Sequence, residues 1–112
     1  KDGQYLYLDP ATFAAAFAAD LPKDEAAFLA KSQVFAAKAA FTAKVGDPAW
    51  RAKKSWVVVA TNDRSINPEL ERSMAKRAGS DVTEIKGSHA VFASQPEKVA
   101  AVIEKAAKEA GK

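Results

Sequence analysis

The stretch that determines the fold reads SWVVVATNDR at residues 55–64, an apolar run that ends in polar side chains. Its five consecutive apolar residues, Trp56–Ala60, are typical of a strand in a parallel sheet, where both faces of the strand are buried. A second β-type run follows at Val82–Ile85. The chain between the two runs is long enough for a crossover helix, so the sequence predicts a β-α-β unit.

The segment between the predicted strands carries helix signals at both ends. Asn67 stands before a proline and a glutamate, which predicts an asparagine N-cap followed by a first turn suited to the helix dipole. Gly79 marks the expected end, since glycine commonly follows the last helical residue. Leu70 and Met74 lie four residues apart and are expected to point inward, toward the sheet.

A last helix is predicted to begin near Pro96. It carries an apolar stripe at i, i+3, i+4 and i+7, formed by Val99, Val102, Ile103 and Ala106. Strands that alternate with amphipathic helices are typical of an α/β fold, in which helices cover a parallel sheet. We therefore expect residues 51–112 to form a β-α-β-α part of such a fold.

Residues 1–50 have a different, alanine-rich character and are predicted to be mostly helical. A strand-like run at Tyr5–Leu8 is followed by Asp9, which has the position of an N-cap before proline. A longer helix is predicted from Lys23 to about Thr42. The turn residues at positions 45–48 are expected to end it and to separate the two parts of the chain.

Two candidate functional residues each follow a predicted strand directly. Asp63 comes after the first strand, and His89, the single histidine of the chain, comes after the second. The carboxyl ends of parallel strands open on one edge of the sheet, where binding crevices lie. We expect Asp63 and His89 to approach each other there, within the roughly 2.6–3.2 Å of a hydrogen bond. A carboxylate can fix the tautomer of a histidine that acts as general base.

Each candidate also has a purely structural interpretation. Asp63 can form an Asx-turn, because aspartate is common in the turns that follow strands. His89 can be a solvated loop residue without a chemical role. Ser65, Ser88 and Ser94 are candidate nucleophiles by residue type, but none stands in a Gly-x-Ser-x-Gly elbow.

The composition argues against several classes of function. The net charge is +3, but the lysines are interleaved with acidic residues and lack an RNA-reading motif beside them, so we expect no nucleic-acid partner. No apolar run approaches the roughly 20 residues that span a bilayer, and we expect no membrane partner. Without cysteine, and with a single histidine, the sequence offers no ligand spacing for a metal, and no cofactor is expected.

The order of these parts resembles the C-terminal end of α/β-hydrolase fold enzymes, specifically the small esterase-like branch. The resemblance lies in SWVVVATNDRSINP at residues 55–68, MAKRAG at 74–79 and GSHAVFASQP at 87–96. Residues 2–50, with FAADLP at 17–22, resemble the later part of that family's helical lid. The resemblance implies a parallel-sheet α/β-hydrolase C-terminal portion at residues 51–112, preceded by a mostly helical lid segment at residues 1–50.

The same resemblance implies catalytic roles, with Asp63 as the acid and His89 as the base of a Ser-His-Asp triad. The nucleophile serine and the oxyanion hole are expected in an N-terminal half that the 112 residues lack. That half would come from the same precursor, from a second chain or from a swapped copy. We expect the complete hydrolase to act on a small-molecule ester or a related carbonyl compound, and the isolated chain to be inactive.

A second class of function stays open at this point. The alternative is a non-catalytic binding or interaction module that reuses the α/β-hydrolase fold, because a fold does not imply a function. This alternative keeps support because no nucleophile occurs in the sequence. A Gly-x-Ser-x-Gly motif in an upstream segment or a companion chain would favour the hydrolase.

Overall fold

The computed structural model describes residues 3–110, so residues 1, 2, 111 and 112 of the predicted segments lie outside the described residues. Its N-terminal segment, residues 3–50, contains a two-residue antiparallel ladder between β1 and β2 and three helices. These elements are β1 (Tyr5–Leu6), α1 (Pro10–Phe17), α2 (Lys23–Lys31), β2 (Ala36–Ala37) and α3 (Lys38–Thr42). A short 3₁₀ turn at Ala49–Arg51 leads to the second part of the chain.

The start of α1 follows the sequence prediction. The Asp9 side chain accepts a hydrogen bond from the backbone N–H of Ala11 at 2.9 Å, and Pro10 is the first helical residue. Phe13 and Phe17 lie one helical turn apart, with their ring centroids separated by 5.0 Å. Phe13 is buried in a cluster of small side chains, so α1 packs against α2 through phenylalanine and alanine.

The prediction of one long helix from Lys23 to about Thr42 is wrong, because α2 ends at Lys31. The Ser32 hydroxyl donates to the backbone carbonyl of Phe28 at 2.8 Å, which competes with continuation of the helix. The Gln33 side chain bonds both backbone groups of Leu8 at 2.9 Å, and the chain then pairs with β1. The strand predicted at Tyr5–Leu8 is therefore shortened to Tyr5–Leu6.

The second part of the chain has the predicted β-α-β-α order, with one additional short helix before the last helix. Its elements are β3 (Trp56–Ala60), α4 (Pro68–Ala78), β4 (Asp81–Ile85), α5 (Val91–Ser94) and α6 (Pro96–Ala110). The strands β3 and β4 pair in parallel, from Trp56 opposite Asp81 to Ala60 opposite Ile85. Asn67 caps α4 through a 2.9 Å bond from the backbone N–H of Glu69. Gly79 ends the helix in the left-handed conformation at φ 64°.

The burial of this part is lower than the sequence predicts. Only Val59 and Ala60 of β3 are buried, although the whole strand is predicted to be covered on both faces. Leu70 and Met74, predicted to point inward, are 54% and 40% exposed, and Ile103 of the α6 stripe is 64% exposed. The reason is the width of the sheet, since β3 and β4 are its only strands among residues 3–110 and cannot cover these side chains.

Two small clusters form the core. One lies on the sheet and contains Ala60, Ile85 and Val91. The other lies in the N-terminal segment, but it includes Ala90, which directly follows the single histidine. The loop after β4 is thus packed into the N-terminal segment. Among residues 3–110, no helix has the length and apolarity that a membrane crossing requires.

Candidate active site

Asp63 and His89 lie in the loops that follow β3 and β4, at the carboxyl edge of the sheet. The two loops continue the pairing of the strands for a short distance. Thr61 donates its backbone N–H to the carbonyl of Ile85 at 2.9 Å, and Asn62 donates to the carbonyl of Gly87 at 3.0 Å. This extended pairing brings Asp63, the residue after Asn62, next to the loop that carries His89.

The two side chains form a hydrogen-bonded pair. His89 Nδ1 lies 2.6 Å from Asp63 Oδ2, which confirms the expected approach of the two residues. The Asp63 side chain is 1% exposed and the His89 side chain 29% exposed. A buried carboxylate beside a partly exposed imidazole is the arrangement that orients a histidine for proton transfer.

The second carboxylate oxygen of Asp63 binds the backbone of its own loop. Oδ1 accepts hydrogen bonds from the N–H of Ser65 at 2.7 Å and of Ile66 at 3.0 Å. The Asx-turn interpretation is therefore correct as well, and it does not compete with the pairing to His89. The turn holds the carboxylate in place, which leaves Oδ2 directed at the imidazole.

The environment of His89 determines which ring nitrogen is available. In the tautomer that donates Nδ1–H to the Asp63 carboxylate, the lone pair lies on Nε2. Within residues 3–110, Nε2 has no hydrogen-bond partner in the protein. The Phe17 ring packs against the imidazole, with 4.6 Å between the ring centroids. The histidine is thus held from one side by Asp63 and from another by the N-terminal segment.

Glu71 is a further acidic residue at this site, which the sequence interpretation missed. It lines a cavity of about 210 Å³ together with Asp63, His89, Phe92 and four aliphatic side chains. Its Oε2 atom is buried and has no hydrogen-bond partner in the described part of the chain. Burial raises the pKa of Glu71, and the nearby charge of Asp63 raises it further. The one sequence signal is the four-residue spacing from Ala75, the buried residue of α4.

This raised pKa predicts a pH-dependent effect of Glu71→Gln on stability. A carboxyl whose pKa is higher in the fold than in the unfolded chain lowers the free energy of unfolding as the pH rises past its ordinary pKa, 4.5 for glutamate. We expect Glu71→Gln to raise the Tm by a few degrees at pH 7 and to leave it unchanged near pH 3, where both side chains are neutral. Thermal unfolding at the two pH values measures this on the form of the protein, alone or joined to a partner chain, that unfolds in a cooperative transition.

The matched control is Glu104→Gln, because the Glu104 side chain is 70% exposed on α6 and makes only a surface ion pair. Its Tm should be close to that of the unchanged protein at both pH values. Equal effects of the two substitutions at pH 7 would contradict the cost assigned to the half-buried Glu71 carboxylate, whose Oε2 atom has no hydrogen-bond partner among residues 3–110.

The three candidate nucleophile serines use their hydroxyl groups elsewhere. Ser65 donates to the carbonyl of Ala16 at 2.9 Å, and Ser94 donates to Asp20 Oδ2 at 2.8 Å. The Ser88 hydroxyl also bonds Asp20. None of them hydrogen-bonds the His89 ring, so the geometry agrees with their rejection as nucleophiles. Among residues 3–110, no group of three histidine or acidic side chains has an arrangement suited to a metal ion.

Comparison with known proteins identifies the wider group to which these residues belong. Residues 2–102 match a family model described as "Alpha/beta hydrolase family". The match includes both strands, the helix between them and the loops that carry Asp63 and His89. No curated protein matches the chain.

Proposed function

The chain belongs to the α/β hydrolase family, and on that premise we propose that it supplies the acid and the base of a serine hydrolase. Asp63 is the acid, and His89 is the general base. Residues 51–112 are the C-terminal β-α-β-α part of the catalytic fold, and residues 1–50 belong to its lid. The 2.6 Å pair between Asp63 and His89 is the observation that carries this proposal.

The proposed reaction is an acyl transfer in two steps. A serine attacks the carbonyl carbon of the ester while His89 Nε2 accepts its proton, and His89 then donates that proton to the leaving alcohol. In the second step, a water molecule attacks the acyl-serine ester while His89 accepts its proton. The ester bond to serine then breaks, the serine regains a proton from His89, and the carboxylic acid product leaves. Asp63 keeps Nδ1 protonated and stabilises the imidazolium that forms in each step.

The proposal requires a serine from outside these 112 residues. We propose that an N-terminal half supplies it, within a precursor, as a second chain or from a swapped copy, together with the backbone donors of an oxyanion hole. Such donors typically contribute about 10²–10³-fold to kcat. The proposed substrate is a small ester or a related carbonyl compound, as in esterase-like members of the family.

The test compares the 112-residue chain with the chain joined to its nucleophile-bearing half, called here the assembled hydrolase. With p-nitrophenyl acetate, we expect the chain alone to match a free-imidazole control, because His89 has no serine to activate. The assembled hydrolase should turn over the ester and react with a serine-directed fluorophosphonate. Turnover by the isolated chain well above the imidazole control, and lost in His89→Ala, would contradict the expected need for a separate nucleophile.

The sequence of the segment that supplies the nucleophilic serine also tests the proposed hydrolase function. The proposal requires a Gly-x-Ser-x-Gly segment upstream in the precursor or in a companion chain. A precursor and companion chains without such a segment, combined with inactivity of every assembled form, would refute the hydrolase and leave a binding module of the same fold.

A further inference from the structure

Asp20, in the turn after α1, bonds the loop that carries the histidine. Its Oδ2 accepts the backbone N–H of Ser88 at 2.9 Å and the hydroxyl of Ser94 at 2.8 Å. Its Oδ1 accepts the hydroxyl of Ser88. Ser88 immediately precedes His89 and is 2% exposed. One carboxylate thus holds the residue before the histidine by both its backbone and its side chain.

The end of α1 makes further bonds to the same region. The carbonyl of Phe17 accepts the N–H of Ala90 at 2.9 Å, so the residue after His89 is also held. The carbonyl of Ala16 accepts the hydroxyl of Ser65, which lies in the loop of Asp63. Carbonyls in the last turn of a helix have no partner within the helix and are free to accept such bonds. The end of α1 therefore bonds the acid loop and the histidine loop together.

The close approach of Asp20 depends on the absence of a side chain at Gly87. A Cβ atom at this position would lie 2.9 Å from Asp20 Oδ2 and 2.9 Å from the Val91 Cγ2 atom. Both distances are shorter than a normal van der Waals contact. Gly87 thus leaves space for the carboxylate to reach the backbone beside the histidine.

The charge of Asp20 suits this role at neutral pH. Burial alone would raise the pKa of the Asp20 carboxyl, but the hydrogen bonds from Ser88 and Ser94 outweigh burial and bring the pKa below its usual value. The carboxylate is therefore ionised at neutral pH, and hydrogen bonds to an ionised acceptor are stronger than those between neutral groups.

We propose that Asp20 is a positioning residue for His89, which it holds in register with Asp63 by fixing Ser88. Asp20 itself bonds neither Asp63 nor the imidazole and acts only through the loop. This inference rests on the proposed function for its consequence in catalysis. The inference also makes a claim that does not depend on catalysis: loss of the Asp20 carboxylate lengthens the 2.6 Å hydrogen bond between His89 and Asp63.

The experiment compares Asp20→Ala and Asp20→Asn in the assembled hydrolase. We expect Asp20→Ala to lower kcat by about 10²-fold, the scale on which a misplaced catalytic group acts, with KM little changed. Asp20→Asn should recover much of this loss, because its amide oxygen still accepts a bond from the N–H of Ser88. The matched control is Asp24→Ala, which removes an exposed carboxylate four residues further along and should retain wild-type kcat.

A second readout is the NMR resonance of the proton on His89 Nδ1, assigned by its loss in His89→Gln. In Asp20→Ala we expect it to move upfield and to broaden, because the bond to Asp63 lengthens. Folded Asp20→Ala with wild-type kcat and a wild-type Nδ1 proton would overturn the proposal. A merely structural role would lower the Tm without changing either readout in the folded protein.

Two further outcomes are decided by the same experiment. If Asp20→Ala fails to fold, Asp20→Asn replaces it, since this variant keeps an acceptor for the backbone N–H of Ser88 but removes the negative charge that strengthens the hydrogen bonds from Ser88 and Ser94. Its kcat should fall by about 10-fold, a smaller part of the same positioning effect, and wild-type kcat with a wild-type proton resonance would overturn the proposal. If the assembled protein is inactive throughout, the proposed function fails, while the resonance still decides whether Asp20 positions His89.

Discussion

Asp63→Asn should lower kcat of the assembled hydrolase by about 10⁴-fold, the loss found when the acid of such a triad becomes an amide. The reason lies in the two backbone N–H groups, of Ser65 and Ile66, that bind Oδ1. They require an acceptor, so the amide oxygen of the substituted side chain takes that position and its NH₂ group faces His89. An NH₂ donor forces Nδ1 to accept, which places the ring proton on Nε2, the atom that must accept the serine proton.

Steady-state kinetics on a p-nitrophenyl ester measures this effect, and the ¹⁵N shifts of His89 report its tautomer. The tautomer should switch from a proton on Nδ1 to a proton on Nε2, with the fold unchanged. Asp47→Asn is the matched control, because the Asp47 side chain is 88% exposed and far from the pair in sequence. Asp63→Asn with kcat within about tenfold of wild type would exclude Asp63 as the acid of the triad.

The second large effect concerns folding, and we expect the 112-residue chain to need its partner. Val59 is its only large side chain with less than 2% exposure among residues 3–110. The radius of gyration is 15.8 Å, whereas a compact domain of this length has about 13 Å. The two-stranded sheet has helices packed on it but leaves both outer strand edges unpaired among residues 3–110, and such edges invite association.

Size-exclusion chromatography with light scattering, together with thermal unfolding, tests this dependence. We expect the isolated chain to associate and to unfold without a single cooperative transition, and the assembled form to unfold cooperatively. A stable monomer with a cooperative transition would contradict the dependence and indicate a self-sufficient small domain.

Matched variants locate the surface responsible. Leu70→Lys and Ile103→Lys place charges on the exposed apolar faces of α4 and α6, and together they should keep the isolated chain monomeric but prevent its assembly. Val45→Lys is the control, since Val45 is 82% exposed and lies outside these helices. If the double variant binds the partner with wild-type affinity, the partner does not bind the apolar faces of α4 and α6.

The sequence alone determined those strands and helix ends whose formation depends on residues close together along the chain. The apolar run at Trp56–Ala60 predicted β3, and the caps Asn67 and Gly79 bounded α4, because strand and cap preferences act over a few residues. The positions of Asp63 and His89 after parallel strands also predicted their meeting. That inference needs only the rule that parallel strands end at the same edge of a sheet.

Tertiary contacts, together with the local bond of the Ser32 hydroxyl, decided the interruption of the helix predicted from Lys23 to Thr42. Local preference favours a helix through these alanine-rich residues, but Gln33 bonds Leu8, 25 residues away, and Ala36–Ala37 pairs with β1. The outward exposure of Leu70 and Met74 has the same kind of cause. An apolar side chain is buried only where another element covers it, and α4 has two strands beneath it in the described residues.

The support of the candidate site was likewise invisible in the sequence. Asp20 reaches Ser88 across 68 positions, and Glu71 enters the cavity beside Asp63 only because α4 packs on the sheet. For Glu71 the one sequence signal is its four-residue spacing from Ala75, and spacing along the chain contains no signal for the contact of Asp20 with Ser88. The sequence therefore determined which two residues could form the pair, because strand ends are local features. The Asx-turn that holds Asp63 is also local, but the tertiary structure alone decided what holds His89 in place, because those bonds join segments that meet only after the chain has folded.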